Sequence, residues 1–259
     1  MTLIAILVGT LTAGIGSVWL AALLSFGMLA RYTQHMLSLA AGALLATAFM
    51  HLLPEAFESR VSANSLFATL LVGLVFFFLL DKAELWHHGH EHHGAAADGH
   101  HHDDVHAETR ESGGWTVLAG DSVHAFGDGI LIASAFMADL RLGLVATLAV
   151  LVHEVPHHMG DLIVLRQSSN NRRVALIKVS LAGAVTALGG VVGYALVDQL
   201  IAYLPFFLII ASSSFVYVAL ADLIPQLQKR AGAGETTAQI VWLSIGIGMV
   251  TLIGGVVRG

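Results

Sequence analysis

His153-Glu154-Val-Pro156-His157-His158-Met-Gly160-Asp161, with His124-Ala-Phe-Gly-Asp128-Gly129 shortly before it, decides how this chain is read. Both motifs lie within runs long and apolar enough to cross a bilayer. An ionisable side chain at mid-membrane depth costs a few kcal/mol by order of magnitude, so such residues are rare and usually mark a polar path or site. Here imidazoles and carboxylates recur at helical spacing in two consecutive segments. These are metal-ligand types placed where only a transport path or an intramembrane active site justifies their cost.

The surrounding composition agrees. The chain of 259 residues is 56% hydrophobic and 12% charged, where a soluble domain carries about 25% charge. The apolar runs are continuous rather than alternating, which favours helices over a barrel. No cysteine is present, so disulfides, iron–sulfur clusters and thiolate metal sites are excluded. The net charge of −6 gives no sign of nucleic-acid binding. The run from Leu3 to about Ala30 has no basic flank before Arg31 and is too long for a signal core, so it is expected to remain as a first spanning helix.

Spanning helices need roughly 20 apolar residues. Eight are expected, at 3–29, 35–57, 63–85, 115–138, 142–166, 173–198, 201–227 and 237–257. The expected fold is therefore all-α and polytopic in the membrane. It divides into helices 1–3 in residues 1–86, a His-rich disordered loop at 87–114, and helices 4–8 in residues 115–259. One set of flanks carries Arg31, Lys82, Arg110, Arg166, Arg172, Arg173, Lys178, Lys229 and Arg230; the other carries Arg60, Arg141 and Arg258. Basic residues favour the cytoplasm, so both termini are expected outside and the loop at 87–114 inside. An inverted repeat relates helices 1–3 to helices 6–8 around helices 4–5. Its trace is Ala48-Phe-Met-His51-Leu-Leu-Pro54-Glu55 in helix 2 against Ala219-Leu-Ala-Asp222-Leu-Ile-Pro225-Gln226 in the oppositely directed helix 7. Inverted repeats with a midplane site mark secondary transporters.

Residues i and i+4 share a helix face. His124 and Asp128 form such a pair, as do His153 and His157, Glu154 and His158, and His51 and Glu55. His124 and Asp128 lie 18 and 14 positions before Leu142, and His153 and His157 lie 11 and 15 after it. Antiparallel neighbours joined near Ala138–Arg141 would thus bring the pairs to similar depth. Pro156 removes one backbone hydrogen bond and frees the Val152 carbonyl, while Gly127, Gly129 and Gly160 are read as relieving bulk around the ligands. Imidazole with carboxylate suits Zn²⁺, Fe²⁺, Mn²⁺, Co²⁺ and Ni²⁺, and several histidines lean towards Zn²⁺. Asp128 and Glu154 would offset a divalent charge that is otherwise costly in low dielectric.

These motifs, the eight-helix layout, the His-rich segment and Phe215-Val-Tyr-Val-Ala-Leu-Ala-Asp222-Leu-Ile-Pro225 resemble the ZIP (zinc/iron-regulated, Irt-like) family of divalent metal transporters, and within it the LIV-1 branch. The resemblance implies a metal path among helices 2, 4, 5 and 7. His124, Asp128, His153 and His157 would hold the principal ion. Glu154 would serve a neighbouring second ion, with Asp128 as bridge. His51, Glu55, His158, Asp161 and Asp222 would be pathway or accessory metal residues. The implied cargo is Zn²⁺, with Fe²⁺, Mn²⁺, Cd²⁺ and Co²⁺ as further candidates, and no organic cofactor or catalytic residue is expected. Helices 1, 4, 5 and 6 would move as an elevator against helices 2, 3, 7 and 8. The resemblance also implies a homodimer in a bacterial inner (plasma) membrane that imports metal into the cytoplasm. Two positions depart from the family pattern: Ala125 stands where Asn is common, and His158 where the LIV-1 motif has Glu.

The segment 87–114 holds nine of the fifteen histidines: His87, His88, His90, His92, His93, His100, His101, His102 and His106. Such tracts bind transition metals by composition alone, and this one reads either as a weak metal trap or as a solvated linker. Two rival functions stay open. His153-Glu154-Val-Pro156-His157 also fits the H-E-x-x-H pattern of zinc metalloproteases, although proline inside it distorts the ligand helix. His-rich cytoplasmic loops also occur in metal exporters.

Overall fold

The computed structural model describes residues 1–25, 33–89, 105–169, 171–227 and 232–256. Among them the chain forms eight continuous helices. We number them α1 (Thr2–Leu11, Thr12–Gly16 and Ser17–Ser25), α2 (Thr33–Thr47, Ala48–Leu52 and Leu53–Phe57), α3 (Ala63–Gly89), α4 (Val105–Ala138), α5 (Leu140–Ser169) and α6 (Arg172–Gln199). α7 comprises Ile201–Tyr203, Leu204–Tyr217, Val218–Leu223 and Ile224–Leu227, and α8 is Ala233–Val256. All but α4 are long and apolar enough to cross a membrane, so seven candidate spans are found among the described residues. α4 falls short because Asp121, His124 and Asp128 lie within its apolar part.

Polar side chains set the starts of several helices. Asp139 is the single residue between α4 and α5, and its carboxylate accepts from the Arg141 N–H at 2.8 Å. Asn171 caps α6 in the same way, through the Arg173 N–H. α4 begins at Val105 rather than at 115, and α3 continues to Gly89, so 87–89 and 105–114 are helical where a loop was expected. Apolarity marks where a helix meets the bilayer, whereas helix formers such as Ala107, Glu108, Arg110 and Glu111 extend it beyond. The His-rich stretch 90–104 lies outside the described residues, as do Arg31, Lys229, Arg230 and Arg258.

The packing repeats itself with reversed direction. α1 packs on α6, α2 on α8, α3 on α7, α4 on α6 and α5 on α1, while α2 touches α5 and α7 touches α4. Exchanging α1 with α6, α2 with α7, α3 with α8 and α4 with α5 returns the same set of neighbours. The expected inverted repeat of helices 1–3 and 6–8 around helices 4–5 is thus present. Its local trace is also structural. A π turn, Ala48–Leu52, precedes Pro54, and another, Val218–Leu223, precedes Pro225. Each closes with a five-residue bond, Leu53 N–H to Ala48 O and Ile224 N–H to Ala219 O. A proline ring clashes with the carbonyl four residues earlier. The wider turn carries Met50 and Ala221 clear of it.

Glycines set the closest helix pairs. A Cβ on Gly14 would strike the Gly183 carbonyl, and one on Gly183 would lie 2.7 Å from the Gly14 carbonyl. Gly129 and Gly189 stand in the same relation to the backbones of α6 and α4, as do Gly42 and Gly246 for α8 and α2. Gly129 therefore serves helix packing rather than space around the ligands, correcting the expectation from sequence. Gly127 and Gly160 do face open space.

Candidate metal centre

α4 and α5 are antiparallel neighbours, and they bring the two motifs face to face. His153 Nε2 lies 3.1 Å from Glu154 Oε1, 3.3 Å from Asp128 Oδ2 and 3.4 Å from His124 Nε2. His124 Nε2 lies 3.4 Å from Glu154 Oε1 and 3.8 Å from Asp128 Oδ2. The four ligand atoms all fall within 4.8 Å of one another. Bonds of about 2.1 Å at tetrahedral angles put ligand atoms roughly 3.4 Å apart. The observed spacings bracket that edge length.

The hydrogen positions can be assigned. His153 Nδ1 sits 3.2 Å from the Ala149 carbonyl, which only accepts, so Nδ1 carries the hydrogen. The Nε2 of His153 faces the buried carboxylate oxygens Asp128 Oδ2 and Glu154 Oε1, so a metal ion or a proton can be shared among them. A backbone bond at the outer nitrogen is also the usual way a ligating histidine is oriented.

Asp128, His153 and Glu154 are buried, whereas 32% of the His124 side chain is exposed. The cluster is therefore reached past His124. His157, expected among the principal ligands, stands beside the group with its ring centroid 5.7 Å from that of His124 and 6.1 Å from that of His153. The Glu154 carboxylate lies closer to the other three ligand atoms. His158 and Asp161 gather with Asp121, a residue sequence reading passes over, into a second group of ligand atoms. The signal was there: Asp121 lies three residues before His124, on the same face of α4.

His51 and Glu55 are elsewhere. With Asp139, Arg141, Leu142, Val145 and Gly254 they line a cavity of about 220 Å³ at the α4–α5 turn. A side chain on Gly254 would strike the His51 ring. Eleven positions of α5 separate Leu142 from His153, or about 16 Å at 1.5 Å per residue. Between them Leu131, Ile132 and Ala135 of α4 and Ala146, Ala149 and Val150 of α5 are buried in the main apolar core. Asp222 lies in the π turn of α7, related by the repeat to His51, and its side chain is outside the described residues.

The family profile described as ZIP Zinc transporter matches residues 82–254. Zinc transporter ZIP13 of Pongo abelii is 28% identical over 281 residues, covering 97% of this chain and 78% of its own length. Zinc transporter foi of Drosophila melanogaster is 34% identical over 170 residues, and zinc transporter ZIP10 of Homo sapiens 31% over 156. These alignments take in 64% and 58% of this chain but 23% and 18% of those longer proteins. The protease alternative finds no support in them. The inverted helical repeat, the paired motifs of α4 and α5 and the match across two thirds of the sequence agree: this chain belongs to the ZIP family of zinc transporters, in its LIV-1 branch.

Proposed function

We propose that this protein carries divalent transition-metal ions, Zn²⁺ foremost, across a membrane into the cytoplasm, and that it is not an enzyme. The observation that carries this reading is the near-tetrahedral spacing of His124, Asp128, His153 and Glu154 between two membrane helices. Mixed imidazole and carboxylate ligation without thiolate suits an ion that must be released as well as bound. The His51/Glu55 cavity serves as the mouth on the far side of the apolar core. The way past His124 leads towards the end of the bundle that bears the α3–α4 connection. A site sealed at one end and reachable from the other is what alternating access requires.

The packing supports an elevator in which α1, α4, α5 and α6 move together. Among the described residues, every close glycine-to-backbone contact lies within that group or within α2, α3, α7 and α8, never between the two. Between the groups lie small apolar side chains such as Ala43 and Ala46 of α2, Val145 of α5 and Val250 of α8. Smooth surfaces slide and knobbed ones lock. Radioactive zinc uptake by cells expressing the protein tests the whole reading. Accumulation above control cells, abolished by His153→Ala, is expected. Tolerance of excess zinc with lowered cell content would make it an exporter, and no zinc flux in either direction would remove the transport reading.

A further inference from the structure

α2 and α8 run side by side in the same direction, and glycine marks two levels of their contact. At the first, Gly42 lies against the Leu243 carbonyl and Gly246 against the Leu39 carbonyl, backbone on backbone. At the second, about 12 Å further along α8, the neighbour is a side chain. A Cβ on Gly254 would strike Cε1 of His51 and lie 2.7 Å from its Nε2 and 3.1 Å from its Nδ1. These three atoms make up the edge of the ring that carries both nitrogens, the edge through which an imidazole meets a cation.

Glycine inside a helix is disfavoured relative to alanine, because its backbone has more freedom to lose. At Gly42 and Gly246 the approach of two backbones accounts for it. At Gly254 the nearest atoms all belong to the His51 ring, while Gly255, next along the same helix, meets nothing within 4 Å. The space at Gly254 is therefore kept for an imidazole and not for a closer helix. That imidazole is 8% exposed and sits in the π turn Ala48–Leu52. With Glu55, His51 and Gly254 form the wall that α2 and α8 give to the 220 Å³ cavity, and the α4–α5 turn forms the other.

We propose that Gly254 is a positioning residue for metal entry, holding the His51 ring in the mouth by carrying no side chain. The inference rests on the transport reading, in which His51 and Glu55 meet an incoming ion. His51 and Gly254 both lie outside the group that moves, so ring and glycine keep together while α4 and α5 slide. Gly254 thus governs how an ion is taken up and leaves the sliding step alone. An alanine there would turn the ring out of its place without touching α4 or α5.

Initial rates of radioactive zinc uptake, measured over a range of zinc concentrations and normalised to protein in the membrane, test this. Gly254→Ala should raise KM about tenfold or more and leave the maximal rate within about twofold of wild type. Gly255→Ala, the same substitution one position on, should leave both unchanged. His51→Ala should also raise KM. Adding Gly254→Ala to it should change nothing further, because the ring that the new Cβ would strike is gone. A Gly254→Ala variant with unchanged KM overturns the proposal, and so does one with a lower maximal rate at unchanged KM, which mere loosening of α8 would give. Effects of the two substitutions that multiply overturn it too. Absence of zinc flux in the wild type would instead sink the transport reading itself. Should Gly254→Ala fail to reach the membrane, the double variant carries the test. Protein restored to the membrane with the KM of His51→Ala supports the contact, and protein still missing overturns it.

Discussion

Glu154→Gln preserves side-chain shape and removes one charge, which makes it the sharpest probe of the centre. Glu154 is 2% exposed, and its two oxygens lie 3.1 to 3.4 Å from the ring nitrogens of His124, His153 and His158. With Asp128 it balances a divalent ion, and with Gln in its place one positive charge is left uncompensated in a buried pocket. Removing one partner of a buried charge pair costs about 3–5 kcal/mol. At about 1.4 kcal/mol per factor of ten, zinc affinity should fall by roughly two to three and a half orders of magnitude. Competition against a fluorescent zinc chelator, with the purified protein at pH 7.5, measures the effect. A zinc affinity within threefold of wild type would refute the argument that Glu154 stands in the ligand shell.

Further outcomes follow from the same coordinates. Ligating imidazoles must be neutral, and an ordinary histidine titrates near 6.5, so protons compete with metal as pH falls. Between pH 7 and 5 zinc affinity should therefore fall, and more steeply if two histidines ligate than if one does; isothermal titration showing flat affinity would count against histidine ligation. Gly129→Ala would drive a Cβ into the Thr186 carbonyl and to 2.7 Å from the Gly190 nitrogen, all backbone. It should lower the thermal midpoint, with overpacking of about 1–3 kcal/mol, whereas Gly127→Ala, facing open space, should not. The chain has no cysteine, so a pair introduced as Ala46→Cys and Val145→Cys reports cleanly on motion between the helix groups. Cross-linking that pair should stop zinc uptake and reduction should restore it; unimpeded flux through the cross-linked protein would contradict an elevator. Deleting 90–104 should preserve flux and alter only its response to internal metal, and complete loss of uptake would place that segment on the path.

The sequence was most informative where polar residues interrupted apolar runs. Paired spacing at His124/Asp128 and His153/His157, counted from the turn at Asp139, was enough to foresee that α4 and α5 meet at these residues. It could not rank the ligands. Whether Glu154 or His157 takes the fourth corner depends on helix rotation by a fraction of a turn, which i+4 spacing does not specify. The hydrogen bond between Ser17 and His158 Nδ1 was beyond reach for another reason, because the two residues lie 141 positions apart, on α1 and α5. Pro54 and Pro225 announced related breaks in α2 and α7, yet the π turns that relieve them are a packing solution and leave no pattern of their own. Gly129 misled because a glycine beside ligands and a glycine against a neighbouring backbone look alike until α6 is in place.

Crystals of zinc-loaded protein, with anomalous scattering recorded at the zinc edge, address the centre most directly. A peak is expected between α4 and α5, bonded at about 2.1 Å to His124 Nε2, His153 Nε2 and a carboxylate oxygen from each of Asp128 and Glu154. Zinc found only elsewhere, with these four side chains turned apart, would contradict it.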